Sequence, residues 1–459
     1  MKTLIHHLKR FSIYTLLLGA VGFAGCEDEN RQDMTPEIGE GEVTPKITMY
    51  TPTAGGKSTS LTLYGTHFGT DLDNIRVTVN GVDAEVTGAL GNIITANVQR
   101  GSGSGPVKIY IGQGENIQEL TYKTEFEYSQ SPIVSSYIGS YVPAAKTEKK
   151  EGSLMEAVLW KPGSIAFDKE GTLYIVEDED RDIRIAKDNQ VATFLRGDVT
   201  GGVAFRMMNI AFSLDGNTLF LSNDANGSGS AHIATMSWSN DAHQYDTGSL
   251  AAIWSITSSL GNGVTNVGVH PVTGEVFSVA HGNAMIYKYD PEQNTMVTTG
   301  QQLPDADGKN ASKVKIRCIL FDKAGTTVYM SSQEKDVIYK GDYDMVTGLF
   351  SNLHIWIGQY DKTGFVEGQG NDARLQEPCQ MDLDEEGNIY VAVRKKHRIA
   401  KITPDGVVTS YTGTGTSGTT DGPLDKAQFN HPEGVQFGPD GALYVSDYWN
   451  HKIRKIEKD

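Results

Sequence analysis

The side chains best able to do chemistry in this chain sit in short polar clusters that recur along its last two thirds. They are Glu177-Asp178-Glu179-Asp180, Asn223-Asp224-Ala225-Asn226, His281-Gly282-Asn283, Gln333-Glu334, Arg394-Lys395-Lys396 and Asp447-Tyr448-Trp449-Asn450. Trp160, Arg206, Asn266, Arg317 and Glu433 lead into neighbouring apolar runs. Carboxylates and amides bond hydroxyl groups, and aromatic faces stack on a pyranose, so such a set suits sugar recognition. The competing reading is a solvated loop rim. Asp447 and Asn450 are better read as holding their turn by side-chain to backbone bonds. Tyr448 and Trp449 stay open between the two readings. Glu177, Asp178 and Asp180 have the oxygen ligands that calcium takes, but a solvated acidic loop explains them more simply.

Other chemistries lack their residues. There is no Gly-x-Ser-x-Gly elbow and no phosphate loop. The three cysteines, Cys26, Cys318 and Cys379, have no zinc-site spacing. Cys318 and Cys379 fall one residue out of register on neighbouring segments, which favours two buried thiols over a disulfide. The formal charge is −17 over 459 residues. Phosphate binding needs clustered Lys and Arg, so nucleic acid is excluded as an expected partner.

The elements that must position these clusters are strands. Pro432–Ile456, PEGVQFGPDGALYVSDYWNHKIRKI, reads as three short strands around an Asp-Gly turn. Related stretches begin at Trp160, Met208, Val267, Cys318 and Pro378. Their turn glycines, Gly171, Gly216, Gly274, Gly325, Gly387 and Gly441, are 45, 58, 51, 62 and 54 residues apart in turn. Such periods fit one four-stranded propeller blade plus loops. Three units share a lead-in at identical spacing: Glu151-Gly152 to Pro162, Glu367-Gly368 to Pro378, and Asp421-Gly422 to Pro432. The last unit has no room for a fourth strand, so Ile133–Tyr141 is expected to complete it and close the ring.

At these lead-ins, and at Asp447 with Asn450-His451-Lys452-Ile453-Arg454, the sequence resembles NHL-repeat propellers. The resemblance implies a six-bladed ring over residues 129–459. Some such propellers are lyases that hold a channel metal with three histidines. Here His281 and His270 are the nearest candidates and no third matches them, while His397 and His451 fall in the family's Asn-His turn.

Upstream, Lys9-Arg10 and the apolar Ile13–Phe23 form a targeting segment too short to span a membrane. It ends Phe23-Ala24-Gly25-Cys26, which resembles a bacterial lipobox and implies lipidation of Cys26. Glu27-Asp28-Glu29 resembles the export signal of Bacteroidota-type surface lipoproteins. Residues 26–44 are a polar tether. Residues 45–128 alternate apolar residues between Gly-rich turns. At Gly65-Thr66-His67-Phe68-Gly69, Asn80-Gly81-Val82 and Ser104-Gly105-Pro106-Val107 they resemble an IPT/TIG immunoglobulin-like domain. His67 reads as a loop histidine.

The chain is thus expected to be all-β, an immunoglobulin-like β-sandwich followed by a six-bladed β-propeller. Its expected role is that of a non-catalytic lipoprotein on the outer membrane, facing outward. The ligand-contact candidates are Trp160, Glu177, Asn223, His281, Arg317, Arg394, Glu433, Tyr448 and Trp449. The architecture resembles accessory lipoproteins of glycan-uptake systems, which implies a glycan ligand and a transporter complex as partner. A metal-dependent propeller lyase or lactonase and a protein-binding adhesion module are the alternatives. No cofactor is expected beyond the calcium just weighed.

Overall fold

In the computed structural model, residues 44–458 are described apart from 58, 130, 180, 198–205, 225–231 and 255–262. The leader, Cys26 and Glu27-Asp28-Glu29 lie outside the described residues, as does Asp180. Among the described residues the regular structure is strand and single 3-10 turns, with no α-helix.

Residues 45–128 fold as a β-sandwich. Lys46–Thr51, Ser60–Gly69, Gly91–Asn97 and Val82–Ala89 pair in that order, and Val82–Ala89 leads on to Ile75–Val79, Gly105–Ile111 and Gln118–Tyr128. The alternating residues turn inward as Leu61, Leu63, Val77, Val79, Val107 and Ile109. His67, expected on a loop, is exposed within the Ser60–Gly69 strand at an irregularity between Tyr64 and Gly69, with φ 60°.

The rest is a six-bladed propeller. Its innermost strands are Pro162–Phe167, Met207–Phe212, Gly268–Val269, Ile316–Phe321, Pro378–Leu383 and Pro432–Phe437, for blades 1 to 6. Each of the six turn glycines has a positive φ, between 65° at Gly216 and 81° at Gly387. An L side chain is strained there, which is why glycine recurs. The ring closes as expected. Pro132–Ile138 pairs with Lys452–Lys458, matching Ile138 to Ile453 and Val134 to Ile456. The closing strand stops at Ile138 rather than Tyr141, since Gly139 turns to φ 88°.

The shared lead-in has a structural reason that spacing alone does not show. Gly152–Ser153, Gly368–Gln369 and Gly422–Pro423 each add a short fifth strand outside blades 1, 5 and 6. The acid before each glycine caps a neighbouring strand: Glu151 accepts from Thr193 N–H, Glu367 from Ser410 and Asp421 from Ser136. The apolar residues that follow, Leu159, Leu375 and Phe429, are fully buried. Burying each contributes roughly 1.5–3 kcal/mol.

Candidate functional site

The loops that leave the second strand of each blade meet the segments entering the innermost strands at one mouth of the ring. Inner and second strands pair here as Pro162 with Glu177, Met207 with Asn223, Pro378 with Val393 and Pro432 with Asp447. The sequence candidates therefore lie on one face, but the structure divides them into three roles.

Glu177 and Asn223 are framework. Glu177 has no exposed surface and accepts the Trp160 N–H at 2.7 Å. Asn223 accepts the Arg206 N–H at 2.6 Å. Asp447 does the same for Asn430 at 2.7 Å, and also takes Asn450 and Arg454. One buried acceptor at the end of a second strand thus ties down the lead-in of its own blade. Burial raises the Glu177 carboxyl above its ordinary range, while Arg184 and the Trp160 N–H oppose that. Glu177 and Asn223 are sealed inside their blades, at 0% and 1% exposure, so neither reaches the surface of the mouth as a ligand contact.

Arg317, Glu433 and Arg394 form a buried chain of charge. Arg317 Nη2 lies 2.7 Å from Glu433 Oε2, and Arg394 Nε lies 2.5 Å from Glu433 Oε1. Arg394 continues to Glu377 at 2.7 Å. Burial works against both guanidinium charges, but Glu433 leads the groups that hold each above its ordinary value. Arg206 closes on Asp178 at 3.0 Å. The first set links blades 4, 5 and 6 and the Arg206–Asp178 pair links blades 1 and 2.

Trp160, Tyr448 and Trp449 form the third group, and Lys161 binds them. Its Nζ sits 3.9 Å from the centre of Trp449, 5.5 Å from Trp160 and 5.9 Å from Tyr448, and 2.5 Å from Glu179 Oε2. A desolvated ammonium on an aromatic face is stabilised by about 2 kcal/mol or more. Trp160 also packs against His451, 4.5 Å between ring centres with the planes tilted by 38°. Tyr448 is 3% exposed, so it is core and no stacking platform. Trp449 is 39% exposed and does reach solvent.

Sequence reasoning missed Lys161. The signal was present, because Lys161, Glu377 and His431 are the residues before the shared proline, and all three adopt positive φ, 51° to 57°. Each donates its N–H across the blade boundary: Lys161 to His451 Nδ1, His431 to His397 Nδ1, and Glu377 to Asp336 Oδ1. The acceptors His451, His397 and Asp336 are left-handed as well. The Asn-His turn is therefore a latch between adjacent blades. It needs an unprotonated ring nitrogen, and burial lowers the His451 imidazole to about 4.

The histidines and cysteines weighed for a metal or a disulfide are paired or buried, with His281 Nδ1 buried and without a hydrogen-bond partner. His281 Nε2 pairs with Glu334 Oε2 at 2.8 Å. His270 is buried, with one ring nitrogen on the Gly325 carbonyl and the other accepting from Val272 and Thr273. Burial pushes the Cys318 and Cys379 thiols up to about 12, and both are free. Among the described residues no three His, Cys, Asp or Glu side chains converge on a metal position. For the calcium reading, Glu177 faces the core and Asp178 faces Arg206, so these two carboxylates are held by different partners.

Comparison with known proteins bears on this architecture. Residues 45–128 match the IPT/TIG domain profile, and residues 429–456 match the NHL repeat profile. The chain carries an IPT/TIG domain and an NHL-repeat propeller. NHL repeat-containing protein 2 of Bos taurus is 36% identical over 98 residues, which are 20% of this chain and 14% of that protein. Protein SUPPRESSOR OF QUENCHING 1 of Arabidopsis thaliana is 34% identical over 97 residues, 21% of this chain and 9% of that protein. The chain thus matches a small part of these relatives' length. The likeness to solved structures covers far more. An auxiliary nutrient binding protein of Bacteroides thetaiotaomicron superposes with TM-score 0.72 and 24% identity over 90% of this chain and 97% of that one. An auxiliary nutrient binding protein of Bacteroides ovatus gives 0.69 and 23% over 91% and 99%. A second Bacteroides thetaiotaomicron structure, which bears a provisional phosphatase name, gives 0.70 and 22% over 90% and 97%. At these identities the likeness is one of fold over nearly the whole of both chains.

Proposed function

We propose that this chain is a non-catalytic binding protein that holds an extracellular glycan at the propeller mouth. One observation carries the proposal. Trp449 stands half-exposed at the rim beside Trp160, over a mouth whose buried charges are already paired with one another. An exposed indole face is a platform for the C–H face of a sugar. The likeness to two proteins named for auxiliary nutrient binding supports the same reading. So does the sequence at Cys26 and Glu27-Asp28-Glu29, which suits a lipid-anchored protein on the outer membrane, working with a transporter complex.

A glycan-array screen of the soluble chain from Asn30 tests the proposal, with metal analysis of the same sample. The expected result is a selective glycan signal without stoichiometric metal. A bound metal together with turnover of a lactone or glycan would replace this reading with the enzymatic one.

A further inference from the structure

We propose a second binding site on the same face of the ring, away from its centre, that takes a single neutral sugar unit. The proposal rests on the glycan reading of the mouth and extends it outward. The site is a cavity of about 390 Å³ between the loop after the outer strand of blade 3 and the outer strand of blade 4. That volume lies within the roughly 300–1,000 Å³ of small-molecule sites.

Its position follows from the chain. The outer strand of blade 4, Leu349–Ile357, ends at the mouth, where Ile357 pairs with Ile338. The connector after it then runs beside Lys335: Asp361 N–H bonds the Lys335 carbonyl, and Lys335 Nζ lies 5.2 Å from the centre of the Tyr360 ring. Lys335 adjoins Glu334, the partner of His281 on the rim. Tyr360 lines the cavity, which sets the cavity beside this part of the rim.

Its polar groups select the ligand. Asp305 Oδ1 accepts from the Asp307 and Lys309 N–H groups, which leaves Oδ2 unpartnered among the described residues. His354 Nδ1 lies 2.6 Å from the Asn352 carbonyl oxygen. A carbonyl only accepts, so Nδ1 carries the hydrogen, and in the neutral ring Nε2 is then the acceptor. Gln359 donates its amide to the Asn371 carbonyl at 2.8 Å, which leaves its Oε1 to accept. Asp305, Gln359 and the neutral His354 ring thus carry acceptors on residues that line a cavity with no Lys or Arg in its wall. Such a wall suits a donor-rich polyol and repels an anion. Leu353, Ile355 and Tyr360 supply the apolar side that a pyranose needs.

Saturation-transfer NMR on the soluble chain from Asn30 tests this, with glucose, galactose, mannose, xylose and galacturonate as probes. Three proteins are compared: the unaltered chain, the pair His354→Ala/Asn371→Ala, and Trp449→Ala. His354 and Asn371 are exposed, so the pair is expected to fold. The expected result is transfer to at least one neutral sugar that survives Trp449→Ala and weakens at least tenfold in the pair, with none to galacturonate. No transfer to any neutral sugar, equal transfer to galacturonate, or transfer that the pair leaves unchanged overturns the proposal. A sugar lost only in Trp449→Ala upholds the mouth and overturns this second site.

Discussion

Replacing Glu433 by Gln separates a framework role for the mouth charges from a ligand role. Glu433 is buried and takes Arg317 at 2.7 Å and Arg394 at 2.5 Å. A hydrogen bond to a charged group contributes about 1.5–3 kcal/mol, so the two together amount to about 3–6. Gln keeps one acceptor oxygen, and Arg394 keeps Glu377. Arg317, which is equally buried, loses its nearest charge partner. The net cost is therefore about 3 kcal/mol, in line with the ~3–5 kcal/mol for breaking a buried pair from one side. Urea unfolding followed by tryptophan fluorescence measures it. Removing both partners, as Arg317→Met with Glu433→Leu, leaves no buried charge stranded and should recover most of that loss. A cost under about 1 kcal/mol for Glu433→Gln, or a double variant as unstable as the two single changes summed, would refute the reasoning. In that event the carboxylate is held for a ligand rather than for the ring.

Trp449→Ala should weaken binding of the array-selected glycan by roughly 1–3 kcal/mol in calorimetry, the scale of an aromatic anchor. It should also lower stability by about 0.5–2 kcal/mol, because the Lys161 ammonium loses its ring; unchanged affinity places the ligand elsewhere. Acid should loosen the joint between blades 6 and 1. His451 sits at about 4 in the folded chain against an ordinary 6.5, so folding excludes a proton that the unfolded chain takes up. This stability is complete above about pH 6.5 and is lost as pH falls towards 4, by up to about 3 kcal/mol. His451→Asn, which keeps an acceptor and tolerates left-handed backbone, should reduce that loss between pH 6.5 and 4; a denaturation series identical to the unaltered chain would count against the latch. On the proposed lipid anchoring, Cys26→Ser should abolish membrane association, and alanines at Glu27-Asp28-Glu29 should keep the protein inside the outer membrane. Protease shaving of intact cells reads both, and unchanged accessibility of the alanine variant rejects the export role.

The ring itself was legible in the chain, because each blade must repeat the same local solutions. Gly171, Gly216, Gly274, Gly325, Gly387 and Gly441 stand where a tight turn demands positive φ, and backbone sterics write that demand directly into residue type. The missing last strand was legible for a similar reason, since an unpaired edge at Lys452–Lys458 requires a partner and Pro132–Ile138 supplies it. The mouth was legible as a place, because loop order around a closed ring is dictated by strand order. The division of labour within it was not. Glu177, Glu179 and Glu334 are alike in sequence, yet Glu177 is sealed inside its blade while Glu179 and Glu334 meet Lys161 and His281. Adjacent Tyr448 and Trp449 part in the same way, one into the core and one towards solvent. Burial and pairing depend on which side chains arrive from other blades, up to 290 residues away for Lys161 and His451. Local pattern carries no information about those arrivals, so only the folded ring decides which polar residues are spent on holding it together and which remain for a ligand.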